Sequence, residues 1–309
     1  MSKTLLIVGS TGLIGSACKR YFKGNYRLLS PSREELNATD KNNVETYFKK
    51  ERPDYVILAA GLVGGIQFNQ RYPADLITEN LMMQLTIFEA ANRISVKRLI
   101  FFASSCMYPK FAPQPMEESS LFTGPLEPTS LPYATAKLAG MQMAKAYNAQ
   151  YQTDRFITLI PNTVYGPHDE FNPEKGHVIP SLITRFHAAK MKNHPSITLW
   201  GDGSPRREFL HANDLARIAH LALDHSSLPP FLNVGVGYDI TIKKLAKTIQ
   251  EVVGYSGKIE WDLTKSNGAP RKLLNSEKLR ALGFQPSITF EEGIAATYEW
   301  YLKHDQIPI

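Results

Sequence analysis

The chain has 309 residues, 43% hydrophobic and 21% charged, with a net charge of +6 at neutral pH. These are ordinary globular values, and the length suits one large domain or a large-plus-small pair. Two cysteines, Cys18 and Cys106, exclude a disulfide framework, and no apolar run approaches the about 18 residues of a membrane helix.

In chain order, "TLLIVG" (4–9) reads as a strand and "GLIGSACKRYF" (12–22) as a helix. "YRLLS" reads as a second strand, "NNVETYFKK" as a helix and "DYVILAA" (54–60) as a third strand. A helix is predicted over 73–93, with apolar Leu76, Ile77, Leu81, Leu85 and Phe88 mostly at helical spacing. "KRLIFFA" is a strand, "PYATAKLAGMQMAKAYNAQY" (132–151) a helix opened by Pro132, and "FITLIP" (156–161) a strand. Such alternation predicts an α/β fold with a Rossmann-like, doubly wound parallel sheet. Beyond residue 165 the pattern is less regular, with helices near 178–190, 212–224, 241–253 and 290–303. The expected division is a dinucleotide-binding domain over 1–165, whose core also receives segments near 205–235. A smaller lobe over 166–309 would be mainly substrate-binding, and the cleft between the two is the expected ligand site.

The short apolar N-terminal run does not make a signal peptide, so a cytoplasmic location is expected. No CxxC or HExxH spacing suggests a metal site. The positive charge is not gathered into a basic block, so neither nucleic acid nor membrane is an expected partner; an anionic small molecule accounts for it equally well.

"GSTGLIG" carries Gly9, Gly12 and Gly15 at the end of the first strand and the start of a helix. There the glycines serve a tight turn, close approach to a pyrophosphate and close helix packing, with backbone from Thr11, Leu13 and Ile14 around the ligand. An ordinary strand–turn–helix is the plainer alternative. The end of the second strand chooses between NAD and NADP. "SPSREEL" points to NADP through Arg33, while Glu34 and Glu35 leave NAD open. "YATAK" sets Tyr133 and Lys137 one turn apart on a helix face. The expectation is that Lys137 lowers the pKa of the phenol, which then exchanges a proton with a carbonyl or hydroxyl oxygen that Ser104 also holds. Cys106 follows in "SSCMYP"; by itself a free cysteine is more often a small buried hydrophobe.

With these motifs the chain resembles the extended short-chain dehydrogenase/reductases. "AAGLVGGI", "SSCMYP", "EPTSLPYATAK", "YGPHDEF", "GHVIP", "WGDGSPRREFLH" and "KSNGAPRKLLN" narrow the resemblance, over nearly the whole chain, to the GDP-L-fucose synthase family of 3,5-epimerase/4-reductases. The resemblance implies NADP(H) as cofactor, a GDP-4-keto sugar as substrate and a homodimer joined through helices bearing Met82, Met83, Leu138, Met141 and Met143. It implies that Ala60 and Gly61 line the cofactor site. Cys106 and His177 would move the protons that invert two carbons, while Ser104, Tyr133 and Lys137 serve the reduction. Arg185, Trp200, Arg207 and Lys272 would hold the sugar nucleotide. Of the adjacent pair Arg206 and Arg207, one is expected to face the ligand. His168 competes with His177 and is expected to be a structural hydrogen-bonding residue, and Trp200 is equally readable as core.

Two features depart from the family. Thr11 stands where some members carry an arginine, and "PNT" reverses a common "PTN" order, which leaves Asn162 and Thr163 open as cofactor contacts. GDP-L-colitose synthase chemistry and a heptose-derived substrate are the close alternatives. A cofactor-binding regulator without turnover is the alternative from another class, opposed by the intact Ser104, Tyr133 and Lys137.

Overall fold

A computed structural model describes residues 3–172, 175–225 and 228–304. The apolar runs form β1 (Thr4–Val8), β2 (Arg27–Leu29), β3 (Tyr55–Leu58), β4 (Arg98–Phe102) and β5 (Phe156–Pro161). Shorter strands follow: β6 (Thr163–Tyr165), β7 (Ser196–Trp200), β8 (Arg206–Arg207), β9 (Phe209–His211), β10 (Phe231–Val234), β11 (Ile240–Thr241), β12 (Lys258–Asp262) and β13 (Arg271–Lys272). The main sheet has six parallel strands in the order β10-β5-β4-β3-β1-β2. Every residue of β1, β3, β4 and β5 is buried, which is why these segments read as continuous apolar runs.

The period-two alternation of the strands splits the core into two layers. Leu6, Val8, Leu99 and Phe101 face one side of the sheet. There they meet α2 (Lys41–Glu51), α4 (Pro73–Arg93) and α5 (Leu131–Gln150) through Phe48, Ile87 and Met141. Leu5, Ile7, Ile100 and Phe102 face the other side. They meet α1 (Leu13–Phe22) and α7 (Ala212–Asp224) through Cys18, Phe22 and Ile218. Thus α7 and β10, late in the chain, return to the main sheet. A third core joins α6 (Val178–Met191), α8 (Ile242–Val253) and α10 (Phe290–His304) over β7 and β9. Beside it lie the parallel pair β7–β12 and the three-stranded sheet β11-β8-β13, and short helices α3 (Ile66–Arg71) and α9 (Glu277–Ala281) follow β3 and β13.

The chain steps from β1 outward to β2, then back across to β3 on the other side of β1. That reversal opens a crevice at the carboxyl ends of the strands, the usual ligand position in such sheets. The segments after β1, β3, β4 and β5 all emerge there.

Candidate active site

The β1–α1 turn is built for close approach. Gly9 has φ +84, and a Cβ on it would lie 2.6 Å from the Ala60 nitrogen. A Cβ on Gly15 would lie 1.9 Å from the Gly9 carbonyl oxygen, so only glycine fits at either position. Gly12 caps α1 without a side chain, and no acidic residue occupies its first turn. The hydroxyl of Ser10 is buried without a hydrogen-bond partner. Open backbone N–H groups, an orphaned hydroxyl and a helix N-terminus fit a dinucleotide pyrophosphate.

At the end of β2 the acids are engaged locally. The Ser32 amide donates to Glu35 Oε2 (2.8 Å), and the Glu35 amide donates to Ser32 Oγ (3.3 Å). A hydrogen bond from Ser32 also holds the Glu34 carboxyl below its usual range. Arg33 is left pointing outward, 75% exposed, with Glu79 of α4 at 3.8 Å.

β4 delivers the next group. Ser104 is extended, and its Oγ accepts from the Cys106 amide (3.2 Å), capping the single turn Ser105–Met107. The Ser104 hydroxyl also hydrogen-bonds the Tyr133 phenol. On α5, Lys137 is buried and donates to the Phe102 carbonyl (3.0 Å), with Nζ 5.7 Å from the Tyr133 ring centroid. Here the structure corrects the sequence expectation. Burial raises the Tyr133 pKa, the neighbouring Cys106 adds to the rise, and the Ser104 hydrogen bond opposes it. Burial also lowers Lys137, to about 8. Desolvation disfavours phenolate and ammonium alike, and at this separation it outweighs their attraction.

Asn80 belongs to the same group and was not singled out from sequence. Its Nδ2 donates to the carbonyls of Leu62 (2.9 Å) and Leu76 (2.7 Å), fixing the loop after β3 to α4. Above Gly61, a Cβ would meet Asn80 Oδ1 at 3.1 Å and Lys137 Nζ at 3.5 Å. The available signal was a polar pair, Asn80 and Gln84, one turn apart on the buried face of the helix.

The same loop reaches His177. The Gly65 amide donates to the Lys175 carbonyl (2.8 Å), and a Cβ on Gly65 would lie 2.9 Å from the Gly176 carbonyl oxygen. His177 is the N-cap of α6; it is partly buried rather than exposed, and burial lowers its pKa, which favours the neutral imidazole. His168, with φ +68, packs its ring at a tilt against Trp300, 4.8 Å between centroids, a packing role in place of the expected hydrogen-bonding one.

Four residues lie on the lobe. Trp200 is 64% exposed, so it is not core; Lys265 Nζ lies 5.8 Å from its ring centroid. Arg185 of α6 donates to the carbonyl of Thr198 on the same strand. Arg207 and Lys272 are register partners on β8 and β13, hence neighbours on one face. Arg206 and Arg271, also register partners, both pair with Asp239. Among the described residues neither Arg207 nor Lys272 is paired with a carboxylate, so Arg207 is the member of the arginine pair left without an acid.

The sequence signature of the NAD dependent epimerase/dehydratase family matches residues 5–235. A putative GDP-L-fucose synthase 2 of Arabidopsis thaliana is 48% identical over 305 residues, covering 98% of this chain and 93% of that one. The GDP-L-fucose synthase of Escherichia coli (strain K12) is 45% identical over 316 residues, covering 98% of each. Among solved structures, a GDP-L-fucose synthetase from Naegleria fowleri bound to NADP superposes with a TM-score of 0.90 at 27% identity. That match covers 97% of this chain and 94% of the other.

The two thiols differ sharply. Cys18 is fully buried and burial pushes it up to about 12, whereas Cys106 is partly exposed. Iodoacetamide near pH 7.5 is therefore expected to alkylate Cys106 and spare Cys18, since the thiolate is the nucleophile. Peptide mass spectrometry checks this; early modification of Cys18 would contradict the described burial.

Proposed function

This chain belongs to the NAD dependent epimerase/dehydratase family, in its GDP-L-fucose synthase branch, and on that premise we propose that it converts GDP-4-keto-6-deoxy-D-mannose to GDP-L-fucose with NADPH. The observation that carries the reading is the placing of a thiol, Cys106, in the turn that Ser104 caps beside Tyr133. A plain reductase has no use for that thiol.

Protons on carbons flanking a ketone become removable when the enolate oxygen is stabilised. Tyr133, kept protonated by burial, and Ser104 donate hydrogen bonds to the C4 oxygen. Inversion needs one group to take a proton and another to return one on the opposite face. His177, neutral through burial, accepts protons, and Cys106 supplies the thiol partner. NADPH, when bound, supplies the hydride for C4. Tyr133 then gives its proton to the C4 oxygen, with Ser104 holding that oxygen and the Lys137 ammonium beside the phenol. The turn of Gly9, Gly12 and Gly15, with Thr11, Leu13 and Ile14, would hold the pyrophosphate, with Ala60 and Gly61 opposite. Arg33, exposed at the end of β2, would hold the 2′-phosphate. Arg207 and Lys272 grip the sugar-nucleotide diphosphate, with Arg185 nearby, and Trp200 packs on the base.

Helix α4 supports a homodimer, whereas on α5 Met141 lies in the core and Leu138 and Met143 pack against it. α4 buries Leu76, Ile87 and Phe88 against the sheet, yet leaves Met82 38% and Leu85 50% exposed on another side. A helix apolar on two faces calls for a second partner. Two free thiols suit a reducing compartment such as the cytoplasm, and among the described residues no helix is long and apolar enough to cross a membrane.

Three outcomes test this reading. With NADPH in deuterated water, the sugar nucleotide is expected to be reduced with deuterium at C3 and C5, located by NMR; reduction without exchange at either carbon defeats it. Preferential turnover of the 3-deoxy analogue, with exchange at C5, would move the assignment to colitose chemistry. The free-enzyme kcat/KM is expected to fall as pH rises through about 8, where Lys137 loses its proton. Lys137→Met should be at least about tenfold slower and lack that limb; an unchanged limb in the variant would assign it to another group. Sedimentation at micromolar concentration is expected to report a dimer that Leu85→Glu converts to monomer, and a monomeric parent chain would refute the docking face.

A further inference from the structure

Asn162, just past β5, is one of the residues whose order departs from the related pattern. It is buried, and its side chain is fully engaged. Nδ2 donates to Glu208 Oε2 (2.8 Å) and to the Lys272 carbonyl (3.2 Å), while Oδ1 accepts from the Ser105 hydroxyl (3.1 Å). The orientation of the amide is dictated by its partners. A backbone carbonyl can only accept, so the NH2 group must face Lys272 and Glu208, and the oxygen must face Ser105. A hydroxyl residue has one donor and would leave an acceptor unserved.

The three partners belong to two functional groups of the site. Ser105 lies inside the turn that Ser104 caps and that carries Cys106. Glu208 directly follows Arg207, and Lys272 is the register partner of Arg207. The amide of Glu208 also donates to the Lys272 carbonyl (3.3 Å). One carboxamide therefore bridges the turn bearing the thiol and the two strands bearing the unpaired cations.

We infer that Asn162 is a positioning residue that locks the Ser104–Cys106 turn, through Ser105, at a fixed separation from the Arg207–Lys272 pair. The inference rests on the function proposed above. If the strands grip the diphosphate, the sugar hangs from that grip, and the turn must meet it at a set distance. A displacement of about 1 Å at a reacting centre costs up to about a hundredfold in rate.

The test is a double-mutant cycle of Ser105→Ala and Asn162→Ala. Each single variant is expected to lower kcat about tenfold with KM for the sugar nucleotide within about twofold, and the double variant to be no slower than the slower single. Losses that multiply, or that fall on KM alone, overturn the inference. A second readout needs no turnover: each variant is expected to raise the rate of Cys106 alkylation by iodoacetamide at least about threefold as the turn loosens. Parent-like alkylation in both variants overturns it. Should Asn162→Ala fail to fold, Ser105→Ala still decides, because it leaves Glu208 and Lys272 bonded. Failure of the parent chain to turn over the sugar would count against the proposed function, whereas the alkylation rates judge the positioning role alone.

Discussion

The carboxylate of Glu208 is the point on which the lobe and the main sheet are joined. It is fully buried, and among the described residues no cation pairs with it. Four donors serve it instead: Asn162 Nδ2 and the amides of Leu274, Gly237 and Val236. These come from the segments following β5, β13 and β10. A buried charge costs several kcal/mol unless it is fully hydrogen-bonded, so the three segments cannot separate without exposing or orphaning it. Burial pushes its pKa up and the four hydrogen bonds pull it back. The demand reaches further along the chain. A Cβ on Gly235 would lie 2.3 Å from Glu208 Oε1, so the loop after β10 can close over the carboxylate only with glycine there.

That anchorage gives the arginine pair its two fates. Along an extended segment, side chains alternate between faces. Arg206 and Glu208 therefore share one side, where Arg206 joins Arg271 on the buried carboxylate of Asp239. Arg207 and Phe209 take the other side, where Arg207 stands beside Lys272 and, among the described residues, no acid pairs with it. Two adjacent unpaired cations repel each other, an arrangement that makes sense opposite an anionic ligand. The same short stretch thus holds the lobe together with one face and presents charge with the other.

Much of this was legible in the sequence because it is local. The helix over 73–93 begins at a proline and carries apolar residues at helical spacing, and its bounds coincide with α4. Segment 156–161 was readable as a short continuous apolar run and 212–224 as a helical pattern, both local signals. The turn at Gly9 and Gly15 was readable because its position after a strand explains the spacing. What escaped depends on contacts distant in sequence. Glu208 looks like a surface acid in a charged run until Asn162 and Leu274 close over it. β8 and β13 are two residues each and exist only through their pairing. Trp200, ending an apolar strand, reads as core as readily as surface. The expected drop in the Tyr133 pKa failed because spacing reveals the neighbouring lysine and conceals the depth at which both groups lie.

That depth suits the proposed chemistry better than the sequence expectation did. An enolate at C4 is a weak base that needs a hydrogen-bond donor, not a proton. A phenol held in its protonated form by burial can donate to that oxygen through each inversion without surrendering the proton. An alkoxide is a stronger base than a phenolate, so the proton leaves Tyr133 only after C4 has been reduced. A tyrosine tuned down toward neutrality would stand partly as phenolate, which has no proton to donate to the enolate oxygen during the inversions. In the proposed reaction, burial would therefore let one phenol stand through two kinds of step, with the protons on carbon left to Cys106 and His177, whose sulfur and imidazole suit that exchange.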